Sequence, residues 1–134
     1  LTLRNEFAGH RILIAEDEPL SREVASFLVE SAGLVPVLAE NGVEAVALAS
    51  RGDCSVVLMD VQMPQMNGLD AARAIRATPV TATIPIIAMT ANAFDEDKED
   101  CLLAGMNDHI GKPVTPEVFH RRLLLWLRTT RSAP

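Results

Sequence analysis

The chain has 134 residues, 49% of them hydrophobic, which suits one domain with its own core and counts against a disordered segment. Twelve basic against eighteen acidic side chains leave a net charge of −6, so this chain is not expected to neutralise a nucleic-acid backbone. No apolar run approaches the roughly 18 to 20 residues of a bilayer-spanning helix, and no charged-then-apolar leader marks secretion. The expected setting is the cytoplasm, without membrane contact by this domain, although a parent chain can carry an anchor elsewhere. Cys54 and Cys101 lack metal-like or redox-like spacing and read as small apolar residues in a reducing compartment. A chain that begins on Leu1 reads as a piece of something longer or a processed form.

Residues 1–9 show little pattern and are taken as a leader. Arg11 to Asp17 predicts an apolar strand ending in two adjacent acids, Glu16 and Asp17. Pro19 fits the first turn of a helix, Val24, Phe27, Leu28 and Ser31 recur at helical spacing, and Gly33 closes that helix. Leu34 to Ala39 is a short strand, and Pro36 puts it at a sheet edge. Asn41 with Glu44 three residues on predicts a capped helix start, running to about Arg51 before Gly52. Ser55 to Met59 is an uncharged, mostly apolar run suited to a strand buried on both faces, and it stops on Asp60. Pro64 breaks the chain after it, and Asn67-Gly68 leads into a helix with Leu69, Ala72 and Ile75 on one face, halted by Thr78-Pro79. After a loop over 78–85, Ile86 to Met89 predicts a strand ending on Thr90. Asp95 to Asp100 reads as the solvated start of a helix that ends at Ala104-Gly105. Met106 to Ile110 is the last strand, followed by Gly111-Lys112-Pro113. Thr115-Pro116-Glu117 starts a final helix with Phe119, Leu123, Trp126 and Leu127 as its buried stripe and a frayed tail after Arg128.

Strand and helix alternating five times predicts an α/β domain, one parallel sheet covered on both faces. Right-handed crossovers then bring the C-terminal strand ends to one rim. Glu16, Asp17, Asp60, Thr90 and Lys112 would share it, at the edge where open parallel sheets bind ligands. Taken alone, Asp60 can equally be a cap for the loop that follows it. Gathered acids repel unless a cation sits among them, and oxygen-only ligands suit Mg²⁺ better than zinc. The metal set is Glu16, Asp17 and Asp60, with the Gln62 carbonyl as a further oxygen. A metal beside an ammonium and a hydroxyl is a receptor for a phosphoryl group, and Asp60, alone at the end of the central strand, is the candidate nucleophile.

Glu16-Asp17, Met59-Asp60-Val-Gln-Met-Pro64 with Asn67-Gly68, Met89-Thr90-Ala-Asn-Ala93 and Gly111-Lys112-Pro113 together resemble the receiver domain of two-component response regulators. The resemblance spans residues 10–128, leaving 129–134 as a tail. With Cys101-Leu-Leu-Ala-Gly105-Met, the loops look most like receivers of hybrid sensor histidine kinases; a stand-alone response regulator is the alternative. The resemblance implies a flavodoxin-like doubly wound (β/α)5 fold with strand order 2-1-3-4-5. It implies Asp60 as phospho-acceptor, Asp17 and Glu16 as Mg²⁺ ligands, Thr90 as switch hydroxyl, Lys112 as phosphate partner and a cis bond before Pro113. Implied partners are a histidine kinase or histidine phosphotransfer domain. The implied readout face is formed by the fourth helix, fifth strand and fifth helix.

His109 departs from the family, which commonly carries an aromatic residue there; it is either a half-exposed strand-end histidine or a replacement for that ring. Gln62 and Asn92 are expected to tune the lifetime of an acyl phosphate. Leu124 and Leu125 either widen the core band of the last helix or offer a patch to a kinase or a second copy. Two rivals remain: a magnesium phosphatase with an Asp nucleophile, against which Gln62 stands where a second Asp belongs, and a flavodoxin-like electron carrier, against which the acids stand.

Overall fold

The computed structural model describes residues 6–61, 63, 66–90, 95–111 and 115–132. Five parallel strands, β1 (Arg11–Ala15), β2 (Val35–Ala39), β3 (Val56–Asp60), β4 (Ile86–Thr90) and β5 (Asp108–Gly111), form one sheet in the order β2-β1-β3-β4-β5. The helices are α1 (Pro19–Ser31), α2 (Gly42–Ala49), α3 (Gly68–Ala77), α4 (Asp95–Leu103) and α5 (Pro116–Ser132). The fold class expected from the sequence is the one found.

Alternation along the central strands builds two cores. Ile12, Ile14, Val56, Leu58, Ile87 and Met89 face α1 and α5, while Leu13, Ala15, Val57, Met59, Ile86 and Ala88 face α2, α3 and α4. The first core is filled by large side chains such as Leu28, Phe119 and Leu123; the second by Ala45, Ala49, Ala71 and Ala72. Pro36 lies in edge strand β2, opposite Ile12, where its missing N–H disturbs only one side of the strand.

Local signals account for the helix ends. Asn41 and Asn67 accept from the Glu44 and Asp70 N–H groups at 2.9 Å. The Glu44 carboxylate reaches past the cap to the Glu40 N–H at 3.1 Å. The α1 cap is Glu18, whose carboxylate accepts from Leu20 N at 3.1 Å and Ser21 N at 2.7 Å.

Several expectations need correction. Val24 and Phe27 face solvent, Phe27 with 69% of its surface exposed, and the buried stripe of α1 is Ala25, Leu28 and Val29. β5 starts at Asp108, not Met106, and Met106 is buried in the turn before it. Trp126 is half-buried, because its indole N–H donates to Asp108 Oδ2 at 2.9 Å. Arg122 Nη1 donates to both oxygens of the same carboxylate, at 2.9 and 3.1 Å. The last helix continues to Ser132, past the expected frayed end at Arg128. Leu124 packs on the core and Leu125 is exposed. In the region read as leader, Phe7 is 1% exposed within the first core, and Glu6 pairs with Arg128 at 2.7 Å. The loop over 78–85 contains a 3₁₀ turn, Pro79–Thr81, tied to α3 by the Thr81 hydroxyl donating to Ile75 O at 2.7 Å.

On the other face Arg76 closes the end of α3. Its guanidinium donates to Gly105 O at 2.8 Å, Asn107 Oδ1 at 2.6 Å and Thr81 O at 3.3 Å, and burial lowers its pKa.

Candidate functional site

The site is built where β1, β3 and β4 stop. Glu16 follows β1, and its N–H donates to Ala39 O at 3.0 Å, fixing the turn against edge strand β2. Asp60 is the last residue of β3, one register step from the end of β4, because Asp60 pairs with Met89 and Thr90 pairs with Gly111. Glu16, Asp60 and Thr90 are buried, with 1%, 6% and 8% of their surfaces exposed, and Asp17 is exposed. Each of Glu16, Asp17 and Asp60 offers a carboxylate oxygen within 4.8 Å of the others.

The turn after Asp60 is held close by Gly68, whose N–H donates to Val61 O at 2.8 Å. A Cβ at Gly68 would collide with the Asp60 carbonyl oxygen, so glycine lets the start of α3 approach the acidic strand end. The 16–18 turn is also cross-braced: Glu18 N donates to Glu16 Oε1 at 3.2 Å, and Arg22 Nη1 donates to Glu16 O at 2.9 Å.

Three carboxylates on one rim, two buried and one open to water, fit a hard divalent cation with oxygen ligands. Of the residues singled out in the sequence, Glu16, Asp17, Asp60 and Thr90 stand at this rim. Lys112, Gln62, Asn92, Pro64 and Pro113 lie outside the described residues. His109 is half-buried and lines a small cavity of about 140 Å³ with Cys101, Leu102 and Met106.

Two features escaped the sequence reading. One is the brace of Glu18 and Arg22. The other is a second apolar stripe on α1, Leu20, Val24 and Phe27, which is exposed, with Phe27 lining a depression shared with Glu23, Glu30 and Leu38. The stripe's i, i+4, i+7 spacing is present in the sequence, but only Val24 and Phe27 of it stand among the residues noted at helical spacing, and Leu20 does not.

The model of the response regulator receiver domain matches residues 12–124. This chain belongs to that family. The receiver domain of a sensor histidine kinase from Pseudomonas aeruginosa PAO1 superposes with a TM-score of 0.85 at 40% identity, covering 90% of this chain and 99% of that one; its structure has a magnesium ion coordinated in the active-site cleft. The Ssk1 receiver domain of Saccharomyces cerevisiae, in co-crystals with the histidine phosphotransfer protein Ypd1, gives a TM-score of 0.84 at 27% identity over 92% of each chain. Among curated relatives, the sensor histidine kinase RcsC of Escherichia coli K12 is 35% identical over 91% of this receiver chain, which spans only 13% of RcsC. An uncharacterised 14.6 kDa protein of Leptolyngbya boryana is 37% identical over 78% of this chain and 80% of its own length. The expected resemblance to receivers of hybrid kinases is thereby met, and the phosphatase and electron-carrier rivals lose their ground. No helix among the described residues of the receiver is long and apolar enough to cross a membrane.

Proposed function

We propose that Asp60 accepts a phosphoryl group from a phosphohistidine of a kinase or histidine phosphotransfer partner. The carrying observation is the group of Glu16, Asp17 and Asp60 oxygens within 4.8 Å at the strand ends. An Asp60 carboxylate oxygen attacks phosphorus, the P–N bond breaks, and the electron pair and a proton go to the departing imidazole. Mg²⁺ held by Glu16, Asp17 and Asp60, with the Gln62 carbonyl, supplies charge neutralisation for the phosphoryl oxygens. Lys112 pairs with the phosphate and Thr90 donates its hydroxyl to it.

The donor imidazole has to reach the rim, and the surface next to it is α1. Leu20, Val24 and Phe27 are exposed apolar side chains there, and Phe27 shares a depression with Glu23, Glu30 and Arg22. That pattern suits an amphipathic partner helix with basic flanks. Engagement of Thr90 shifts the receiver between two states, read out on α4, β5 and α5, where Leu102, Leu103 and Leu125 are exposed. A kinase or a second copy of the chain is the reader of that face. The receiver works on the cytoplasmic side, in a hybrid sensor kinase; a stand-alone regulator is the second form of this reading. Its folding unit takes in residues 10–128 together with Phe7 and Glu6, which pack and pair against α5.

Labelled phosphoramidate with Mg²⁺ tests the chemistry. The native protein is expected to take up one hydroxylamine-labile phosphoryl group, and the Asp60→Asn variant none. Labelling of Asp60→Asn at the native rate overturns the proposal.

A further inference from the structure

Arg22 sits on α1 one turn past the acidic pair, with its side chain 17% exposed. Nη1 donates to the carbonyl oxygen of Glu16 at 2.9 Å and reaches that of Asp17 at 3.5 Å. Nη2 lies 3.5 Å from Glu40 Oε1, in the loop after β2. One planar fork thus ties the turn bearing two of the three site acids to the neighbouring loop. The other bonds of that turn run in the same sense: Glu16 N to Ala39 O at 3.0 Å, and Arg22 N to Glu18 O at 3.0 Å.

From this geometry we infer that Arg22 is a positioning residue for the metal site: it holds the 16–17 backbone so that both carboxylates converge with Asp60 before any ion arrives. The inference rests on the Mg²⁺ site proposed above. Preorganisation lowers the ordering cost of binding, and loss of such outer partners typically weakens metal affinity by about 10- to 100-fold.

A purely electrostatic role makes the opposite prediction. Arg22 is a cation next to a cation site, so removing its charge alone should tighten Mg²⁺ binding. The sign of the change therefore separates the two roles.

The test is titration of Mg²⁺ into the native protein and into Arg22→Met, Arg22→Lys and Arg73→Ala, by calorimetry. Arg73 pairs with Asp70 on exposed α3 and serves as the control. Arg22→Met is expected to raise the Mg²⁺ Kd about tenfold. Arg22→Lys, which keeps the charge but not the fork, should fall between Met and native, and Arg73→Ala should match the native value. The half-saturating Mg²⁺ for phosphoramidate labelling should rise in step, with the maximal rate at saturating Mg²⁺ retained. An unchanged or tighter Kd in Arg22→Met overturns the inference; should that variant not fold, a native Kd in Arg22→Lys does so. If the native protein itself binds no Mg²⁺, the site proposal fails instead.

Discussion

At the C-terminal rim of the sheet, Glu16, Asp17 and Asp60 stand with carboxylate oxygens within 4.8 Å of one another. At the N-terminal rim, Asp53 lies 3.4 Å from Arg11, Asp108 lies 2.9 Å from Arg122 and Glu6 lies 2.7 Å from Arg128. Gathering like charges costs stability unless a ligand offsets it, whereas pairing opposite charges asks for none. One rim is arranged for an ion and a reaction; the other is arranged to stay put. Substitutions at the two rims should therefore separate cleanly into effects on binding and effects on folding.

The largest folding effect is expected at the N-terminal rim, from a residue that the sequence did not mark. Phe7 is 1% exposed and packs with Phe119, Leu123 and Leu127 at the foot of the sheet, its ring edge-on to His10 at 5.3 Å. Phe7→Ala should lower the unfolding free energy by about 3–5 kcal/mol, measured in urea, because the cavity cannot close against the sheet. Mg²⁺ affinity should stay within twofold of native. A loss below about 1 kcal/mol would return residues 6–9 to the status of a leader.

The next effect has the opposite sign and belongs to the C-terminal rim. In EDTA, Asp60→Asn should stabilise the fold by about 1 kcal/mol, since one of three mutually repelling acids is gone. Mg²⁺ at ten times its Kd should add about 1.4 kcal/mol to the native protein by mass action, and little to the variant. If Asp60→Asn is less stable than native in EDTA, the acids are not in conflict and the contrast between the rims collapses.

That contrast also explains which parts were legible in the sequence. β3 is buried along its whole length, so it appears as an uncharged run, and the acid that stops it stands out. Glu16, Asp17 and Thr90 end apolar runs in the same way. The N-terminal rim gives no such signal. Asp108 reads only as one more residue of the last strand, because its partners, Arg122 and Trp126, lie 14 and 18 residues downstream, while apolar Met106 looks like strand although it fills a turn. On α1 two apolar stripes compete, and the bulkier one, with Val24 and Phe27, is the one left in water. Arg22 acts on backbone carbonyls, which no side-chain pattern records.

The smallest expected effect returns to the N-terminal rim. Cys54 is half-buried beside Asp53, and its Sγ donates weakly to Asp53 Oδ1 at 3.8 Å. Burial raises the thiol pKa first, the Asp53 charge adds to that, and Arg11 works against it. The folded protein thus binds this proton more tightly than the unfolded chain does. The resulting stability is fully present below the ordinary thiol pKa of 9.0 and is lost as the pH climbs through the raised value. Near neutral pH the native protein should react slowly with iodoacetamide at Cys54, and Asp53→Asn should speed that reaction modestly by removing the neighbouring charge and freeing Arg11 to favour thiolate. An unchanged rate would mean that burial alone holds the proton, leaving Asp53 to serve only as the partner of Arg11.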